Sequence, residues 1–187
     1  MKKFTFLCLC GLVLAGCGSS DPWKQADKIV SSMTKVSIPE REVTITDLGA
    51  VPGDSLNPCH DVINLAIINM SLQGGGVVKV PAGVFYTGPI TLKSNVALDL
   101  EEGAVLRFST DESLYYPPVP TRWEGIDCYN THPLLYAWGE TNIAIRGKGT
   151  IDGQADRNHW WPRQREVERN GVASRLQLLE MGESGLP

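Results

Sequence analysis

"PAGVFYTGPITLKSNVALDLEEGAVLRF", residues 81–108, decides the fold. Within it Val84-Phe85-Tyr86, Ile90-Thr91-Leu92, Val96 to Leu100 and Ala104 to Phe108 are short runs rich in β-branched, aromatic and aliphatic residues. Gly, Pro and polar pairs separate them, which is how successive short strands read. Val77 to Val80 precede them and end at the turn Pro81-Ala82-Gly83. No helix-length segment lies between the runs, which argues against a doubly wound sheet. A fragment of the stretch recurs. Ser94-Asn95-Val96-Ala97-Leu98 matches Thr141-Asn142-Ile143-Ala144-Ile145, and each copy then reaches a glycine and a strand, at Gly103-Ala104-Val105 and Gly149-Thr150-Ile151. Short strands that repeat across polar turns predict a solenoid of stacked coils. Asn95 and Asn142 then occupy equivalent turns, where an asparagine tolerates the left-handed conformation and bonds to backbone.

The flanking segments fit that scheme. Val43 and Ile45 predict a short strand running into a loop at residues 47–50. Residues 57–73 predict a helix, with Asn57 as its cap, Pro58 in its first turn and Gly74 at its end. Val62, Ile63, Ala66, Ile67 and Met70 give it a broad apolar face, widened by Leu65, Ile68 and Leu72. Such a helix is expected to cover the first coil, whose strand edges and apolar end would otherwise meet water. Residues 109–133, rich in proline and aromatics, read as an ordered surface loop inserted in one coil, where binding groups are commonly carried.

The N-terminus reads as an export signal. Lys2 and Lys3 precede an uncharged run, residues 4–15, too short to span a bilayer. It ends in Leu14-Ala15-Gly16-Cys17, the order of a lipoprotein signal, which predicts removal of residues 1–16 and lipidation of Cys17. A lipid there anchors the chain at a membrane, on the periplasmic side or at the cell surface, with nothing crossing it. Residues 17–42 are then a tether and a helix with Asp21 as N-cap and Pro22 first, and residues 43–187 form one domain. With 17 basic against 21 acidic residues and no basic block, nucleic acid is excluded as a partner. Cys59 and Cys128 either pair or stay free, and neither they nor any other cluster has metal-ligand spacing. No cofactor is implied.

Residues 46–109, "TDLGAVPGDSLNPCHDVINLAIINMSLQGGGVVKVPAGVFYTGPITLKSNVALDLEEGAVLRFS", and residues 147–162, "GKGTIDGQADRNHWWP", resemble the opening of family 28 glycoside hydrolases, the polygalacturonase group. "TRWEGIDCYNTHPLLYAW" (residues 121–138) and "RLQLLEMGESGLP" (residues 175–187) resemble bacterial members. The resemblance runs over residues 44–187. It implies an all-β, right-handed parallel β-helix of the pectin-lyase type, here its N-terminal coils with a capping helix. It also implies hydrolysis of galacturonosyl links in pectin-like polysaccharide, by inversion and without metal. That chemistry needs one carboxylic acid for the leaving oxygen and carboxylate to activate water on the opposite face. In the family these come from Asn-Thr-Asp, an Asp pair, His-Gly and Arg-Ile-Lys, and none of these stands in this sequence. Asn130-Thr131-His132 comes closest, ahead of the strand at 149–152. The expectation is therefore an N-terminal part of a longer enzyme, without catalytic residues of its own and inactive alone.

The residues that suit an acidic plant polysaccharide, pectin or oligogalacturonides, lie in two places. Trp160 and Trp161 can stack on sugar rings, and Arg157, Arg163 and Arg165 can pair with uronates, with His159 a hydrogen-bond donor or a structural residue. Packing of at least one of the two tryptophans onto the coils is the other reading. In the insertion, Arg122, Trp123 and Glu124 either close one end of a substrate cleft, Arg122 holding a carboxylate and Trp123 stacking, or order the loop through an Arg122–Glu124 pair. Asp152 before Gly153 reads as turn chemistry, and Gly147-Lys148-Gly149-Thr150 lacks the spacing of a phosphate loop. Two other functions fit the same scaffold: a non-catalytic polysaccharide-binding module, and a pectate lyase. The lyase lacks a cluster of acidic calcium ligands here.

Overall fold

The parallel pairing of β2 (Gly76–Val80) with β5 (Val96–Leu100) sets the architecture, because two parallel strands this close in sequence need a crossover that the intervening strands provide. The structure is a computed structural model that describes residues 21–161 and 172–185. The chain divides into two units, Met1–Lys35 and Val36–Pro187. In the first, α1 (Pro22–Ser32) starts where the sequence predicts, with the Asp21 carboxylate accepting from Trp23 N at 3.0 Å. None of its residues is buried, and no helix among the described residues is long and apolar enough to cross a membrane. Cys17 and the export signal lie outside the described residues.

The second unit is a right-handed parallel β-helix. Its first sheet runs β1-β2-β5-β10, with β1 at Glu42–Thr44 and β10 at Ala144–Gly147. The second runs β11-β6-β3, at Thr150–Asp152, Ala104–Phe108 and Gly83–Thr87. The third pairs β4 (Ile90–Thr91) with β9 (Leu135–Tyr136). One coil is thus β2, β3, β4 and the next is β5, β6, β9, and β10 and β11 begin a third. Equivalent residues stack inside: Val78 on Leu98 on Ile145, and Phe85 on Leu106 on Ile151. Val78, Leu98, Phe85 and Leu106 are fully buried, each stabilising the stack by about 1.5–3 kcal/mol. Ile145 and Ile151, at the end of each row, are partly exposed.

The repeat read from sequence is this stacking. Ala144 faces Ala97 and Ile145 faces Leu98. Asn95 and Asn142 both have positive φ, 63° and 54°, and Asn142 Nδ2 donates to Asn95 Oδ1 at 2.9 Å. The second half of the repeat is corrected by one residue. Thr150 stacks on Val105 and Ile151 on Leu106, so Gly149 is not the equivalent of Gly103. Between the paired positions, residues 148–149 stand where the coil beneath has residues 101–104, and two glycines make this shorter path possible. At Gly147, φ is 100° and a Cβ would overlap the Leu100 carbonyl, and at Gly149 a Cβ would lie 2.7 Å from Leu100 Cβ and 2.8 Å from Ala104 O.

α2 (His60–Leu72) covers the first complete coil, as its apolar face predicts. Ile63, Ala66, Ile67 and Met70 are buried. Its polar side chains satisfy the edge it hides: Asn64 Oδ1 accepts from Thr91 N at 2.8 Å, Asn64 Nδ2 donates to Pro89 O at 3.0 Å, and Cys59 N donates to Tyr86 O at 2.8 Å. Two expectations are corrected. Asn57 does not cap the helix, since Asp54 takes its backbone and side-chain N–H groups at 3.0 Å each, and the N-cap is Cys59 without a side-chain bond. Leu65, Ile68 and Leu72 do not widen the buried face; they point to solvent. After β1 the chain makes a 3₁₀ turn, Ile45–Leu48, closed at Gly49. Cys59 and Cys128 are both free, and burial pushes the Cys59 thiol up to about 11.

One buried-edge contact locks adjacent coils. The Glu140 carboxylate accepts from Lys93 Nζ at 2.9 Å, Ser94 N at 2.8 Å and Ser94 Oγ at 2.6 Å. The Ser94 hydroxyl and Lys93 ammonium hold its acid down to about 2 against an ordinary 4.5. A depressed carboxylate contributes stability above its unfolded value and loses it as pH falls through the folded one. Unfolding free energy should therefore drop between pH 4.5 and about 2, and Glu140→Gln should flatten that drop in denaturant titrations across this range. Gly149→Ala should destabilise by about 1–3 kcal/mol in the same assay.

Candidate functional site

The corner between the second and third sheets carries the site. In one coil it is only Gly88-Pro89, between β3 and β4. In the next, between β6 and β9, it holds the whole 109–134 excursion. In the third, after β11, it opens the segment beginning at Gly153. Extra chain is accommodated there because it leaves the ladder hydrogen bonds intact.

The excursion is a built element, not the plain loop its composition suggests. Asp111 Oδ1 accepts from Ser113 N at 2.9 Å and starts a 3₁₀ turn, Glu112–Tyr115. Tyr115 is buried, donates its hydroxyl to Ser109 O at 2.6 Å, and burial pushes its phenol up to about 12. β7 (Val119–Trp123) and β8 (Ile126–Asn130) then form an antiparallel hairpin. Its two turn residues, Glu124 and Gly125, have φ of 49° and 91°, the two-residue turn that matches strand twist. The excursion returns at His132, whose N donates to Tyr115 O at 3.0 Å. The His132 ring contacts Thr91 Oγ1 through Nε2 at 3.0 Å and Pro133 O through Nδ1 at 2.6 Å. A carbonyl only accepts, so Nδ1 carries the proton.

From the next coil, Asp156 shapes the other wall. Its Oδ1 accepts from Asn158 N at 2.7 Å, His159 N at 2.8 Å and His159 Nδ1 at 2.9 Å, and these bonds, Asn158 N foremost, hold its acid below the ordinary value. The turn places Trp160 at φ 61°, with its indole N–H donating to Gly153 O at 2.9 Å. The Trp160 ring meets Tyr115 edge to face, centroids 6.2 Å apart. Between the two walls lies a cavity of about 300 Å³, lined by Tyr115, Tyr116, His132, Leu134 and Trp160 with Glu112, Thr131 and Pro133.

Of the described residues matched to polysaccharide in the sequence, Trp160 lines this cavity; Arg122, Trp123, Glu124, Arg157, His159 and Trp161 do not. Trp161 is exposed beside it, and His159 is held by Asp156. Arg122, Trp123 and Glu124 sit at the exposed hairpin tip. The Arg122–Glu124 pair does not form: Arg122 lies 3.6 Å from Asp127, its cross-strand partner, and Glu124 accepts from Arg175 of α3 (Val172–Ser184) at 2.9 Å. Arg163 and Arg165 lie outside the described residues. Asp152 is engaged by Arg107 at 2.9 Å and by Gln154 N at 2.9 Å, the latter leading the downward shift of its acid. Sequence reasoning missed Tyr115 and Tyr116 and weighed His132 only as part of a near match to a family motif; the Tyr-Tyr pair in a proline-rich insertion was the available signal. Glu112 is the one carboxylate among the described lining residues, so the cavity presents aromatic faces to a ring and no acid–base pair for glycoside hydrolysis.

Known proteins share this framework. The hyperthermoactive exopolygalacturonase from Thermotoga maritima superimposes with a TM-score of 0.78 at 41% identity, over 88% of this chain and 38% of that one. The chain is homologous to polygalacturonases. An exo-poly-alpha-D-galacturonosidase of Dickeya chrysanthemi is 33% identical over 135 residues, 68% of this chain and 22% of that protein. A "Probable polygalacturonase" of Vitis vinifera is 32% identical over 138 residues, 68% of this chain and 27% of that protein. The chain thus spans between about a fifth and two fifths of the length of these polygalacturonase relatives. No family model matches it.

Two substitutions separate packing from exposure in this polygalacturonase homologue. Trp160→Phe keeps a ring against Tyr115 but leaves Gly153 O without its donor, and should cost about 1 kcal/mol of unfolding free energy. Trp161→Ala should stay within about 0.5 kcal/mol of the parent in the same denaturant titration.

Proposed function

We propose that this chain forms the first coils of a glycoside hydrolase of the polygalacturonase type, which cuts galacturonosyl links in pectin-like polysaccharide. The 41% identity to the Thermotoga maritima exopolygalacturonase, across 88% of this chain, is the observation that carries the reading. The aromatic corner cavity supports a role in holding sugar. The absence from the sequence of an Asp pair, Asn-Thr-Asp and His-Gly supports placing the catalytic acids on coils that these 187 residues do not contain. On that reading the chain binds polysaccharide without cleaving it, which also favours a binding-module role as the second reading. The Leu-Ala-Gly-Cys17 order supports export and a lipid anchor, in the periplasm or at the cell surface.

Affinity electrophoresis in gels containing polygalacturonate, with a reducing-sugar assay alongside, tests this. The chain should be retarded relative to a gel containing a neutral glucan, and should release no reducing sugar above buffer. Equal mobility in both gels removes the pectin assignment; release of sugar removes the claim that the acids lie elsewhere. For the anchor, cells fed an alkyne fatty acid should label the protein and hold it in the membrane fraction. Cys17→Ser should abolish both, and persistence of the label in the variant overturns lipidation.

A further inference from the structure

The helix α1 sorts its side chains into two arcs. Trp23, Ala26, Ile29 and Val30 fall within an arc of about 120° at 3.6 residues per turn, and Lys24, Gln25, Asp27, Lys28, Ser31 and Ser32 fill the rest. Trp23 is 79% exposed, Val30 68% and Ile29 56%, so the apolar arc is open. Met33, just past the last turn, is exposed as well. The ends are satisfied locally. Asp21 caps the first turn, Ser31 Oγ donates to Lys28 O at 2.9 Å and Ser32 Oγ donates to Ile29 O at 2.8 Å. An isolated helix shorter than about 12–15 residues is marginal in water and draws its stability from packing its apolar face. With 11 residues and an open arc, α1 calls for a surface.

Position and charge decide which surface. Cys17 stands five residues before Pro22, so a lipid on it leaves at most about 18 Å of extended chain between the bilayer and the first turn. The segment from Asp21 to Lys35 carries three lysines against two aspartates, whereas the whole chain has 17 basic against 21 acidic residues. An apolar arc with a tryptophan, opposite a polar arc with lysines, is the composition that settles in the headgroup layer. A second copy of the chain is a poorer cover: two such helices, each about 16 Å long, bury less than the about 1,200 Å² of a stable interface. We propose that α1 lies in the plane of a phospholipid bilayer, with its apolar arc toward the acyl chains, as a second membrane contact beside the lipid on Cys17. A single acyl chain holds a protein to a membrane only marginally, and a second contact makes the hold stable. The inference rests on the reading of the chain as exported and lipid-anchored and deepens it: α1 becomes part of the anchor and not a free tether.

Tryptophan quenching reads the contact. Protein purified from cells expressing the full chain is mixed with vesicles of equal parts phosphatidylethanolamine and phosphatidylglycerol, with brominated or plain acyl chains, and Trp23 emission is taken as the difference from Trp23→Phe. Bromolipid should quench that emission and aqueous acrylamide should not. Val30→Asp puts a carboxylate on the apolar arc and should reduce the bromolipid quenching at least about fivefold. No residue of α1 is buried, so this variant should keep the parent's circular dichroism and its fatty-acid label. Ser31→Ala, on the polar arc, should leave the quenching unchanged. Quenching of Trp23 by acrylamide alone shows a helix in water and overturns the proposal. Protection of Trp23 from both quenchers shows a protein cover, a second copy included, and overturns it too. So does bromolipid quenching that Val30→Asp leaves intact. The fatty-acid label is read separately. Labelled protein whose Trp23 escapes bromolipid sinks this inference alone, and unlabelled protein whose Trp23 is quenched by bromolipid sinks the Cys17 lipidation alone.

Discussion

Parallel registry between one coil and the next is the constraint on which the rest of this molecule depends. Each strand is too short to be stable alone, and its apolar side chains are buried only when the residue above and the residue below are of like shape. Val78 under Leu98, and Phe85 under Leu106, are such pairs. The turns enforce the same registry. Asn95 and Asn142 adopt the left-handed conformation one above the other and share a hydrogen bond, and Glu140 reaches down to Lys93 and Ser94 of the coil beneath. Sheet hydrogen bonds, side-chain rows and polar turn contacts therefore specify a single alignment.

A scaffold fixed in that way can carry irregular chain at its corners without losing alignment. The corner between the second and third sheets does so in two successive coils, and the cavity is the space left between the two excursions. Its walls are held by local capping bonds at Asp111 and Asp156 and by a buried tyrosine meeting a tryptophan edge to face. Further bonds engage the Tyr115 hydroxyl and the Trp160 indole N–H within the protein.

What the sequence made legible follows from range. The strands from 76 to 108 were readable because alternation, β-branched residues and glycine punctuation are local properties. The capping role of the 60–72 helix was readable because so apolar a face has to be covered. The Asn57 cap failed because Asp54, three residues earlier, draws Asn57's own backbone and side-chain N–H groups into a turn ahead of the helix, and Cys59 N, which the cap would have accepted from, donates to Tyr86 O instead. The second repeat slipped by one residue because matching glycine to glycine ignores the shorter turn, which only the close approach of Gly147 and Gly149 to Leu100 explains. The hairpin in the insertion was hidden by Pro120, which argues against a strand by its missing N–H yet is tolerated on a two-stranded edge. Trp160 could be singled out by type, but its meeting with Tyr115 depends on coils stacking, and no local pattern announces it.

The hairpin tip at Glu124-Gly125 stands clear of every ladder that holds the coils together. Closing a longer loop there costs entropy that grows only with the logarithm of its length. The protein accordingly offers a graft point: a foreign peptide spliced between Trp123 and Ile126 would be displayed from a rigid stem while the solenoid beneath keeps its pitch.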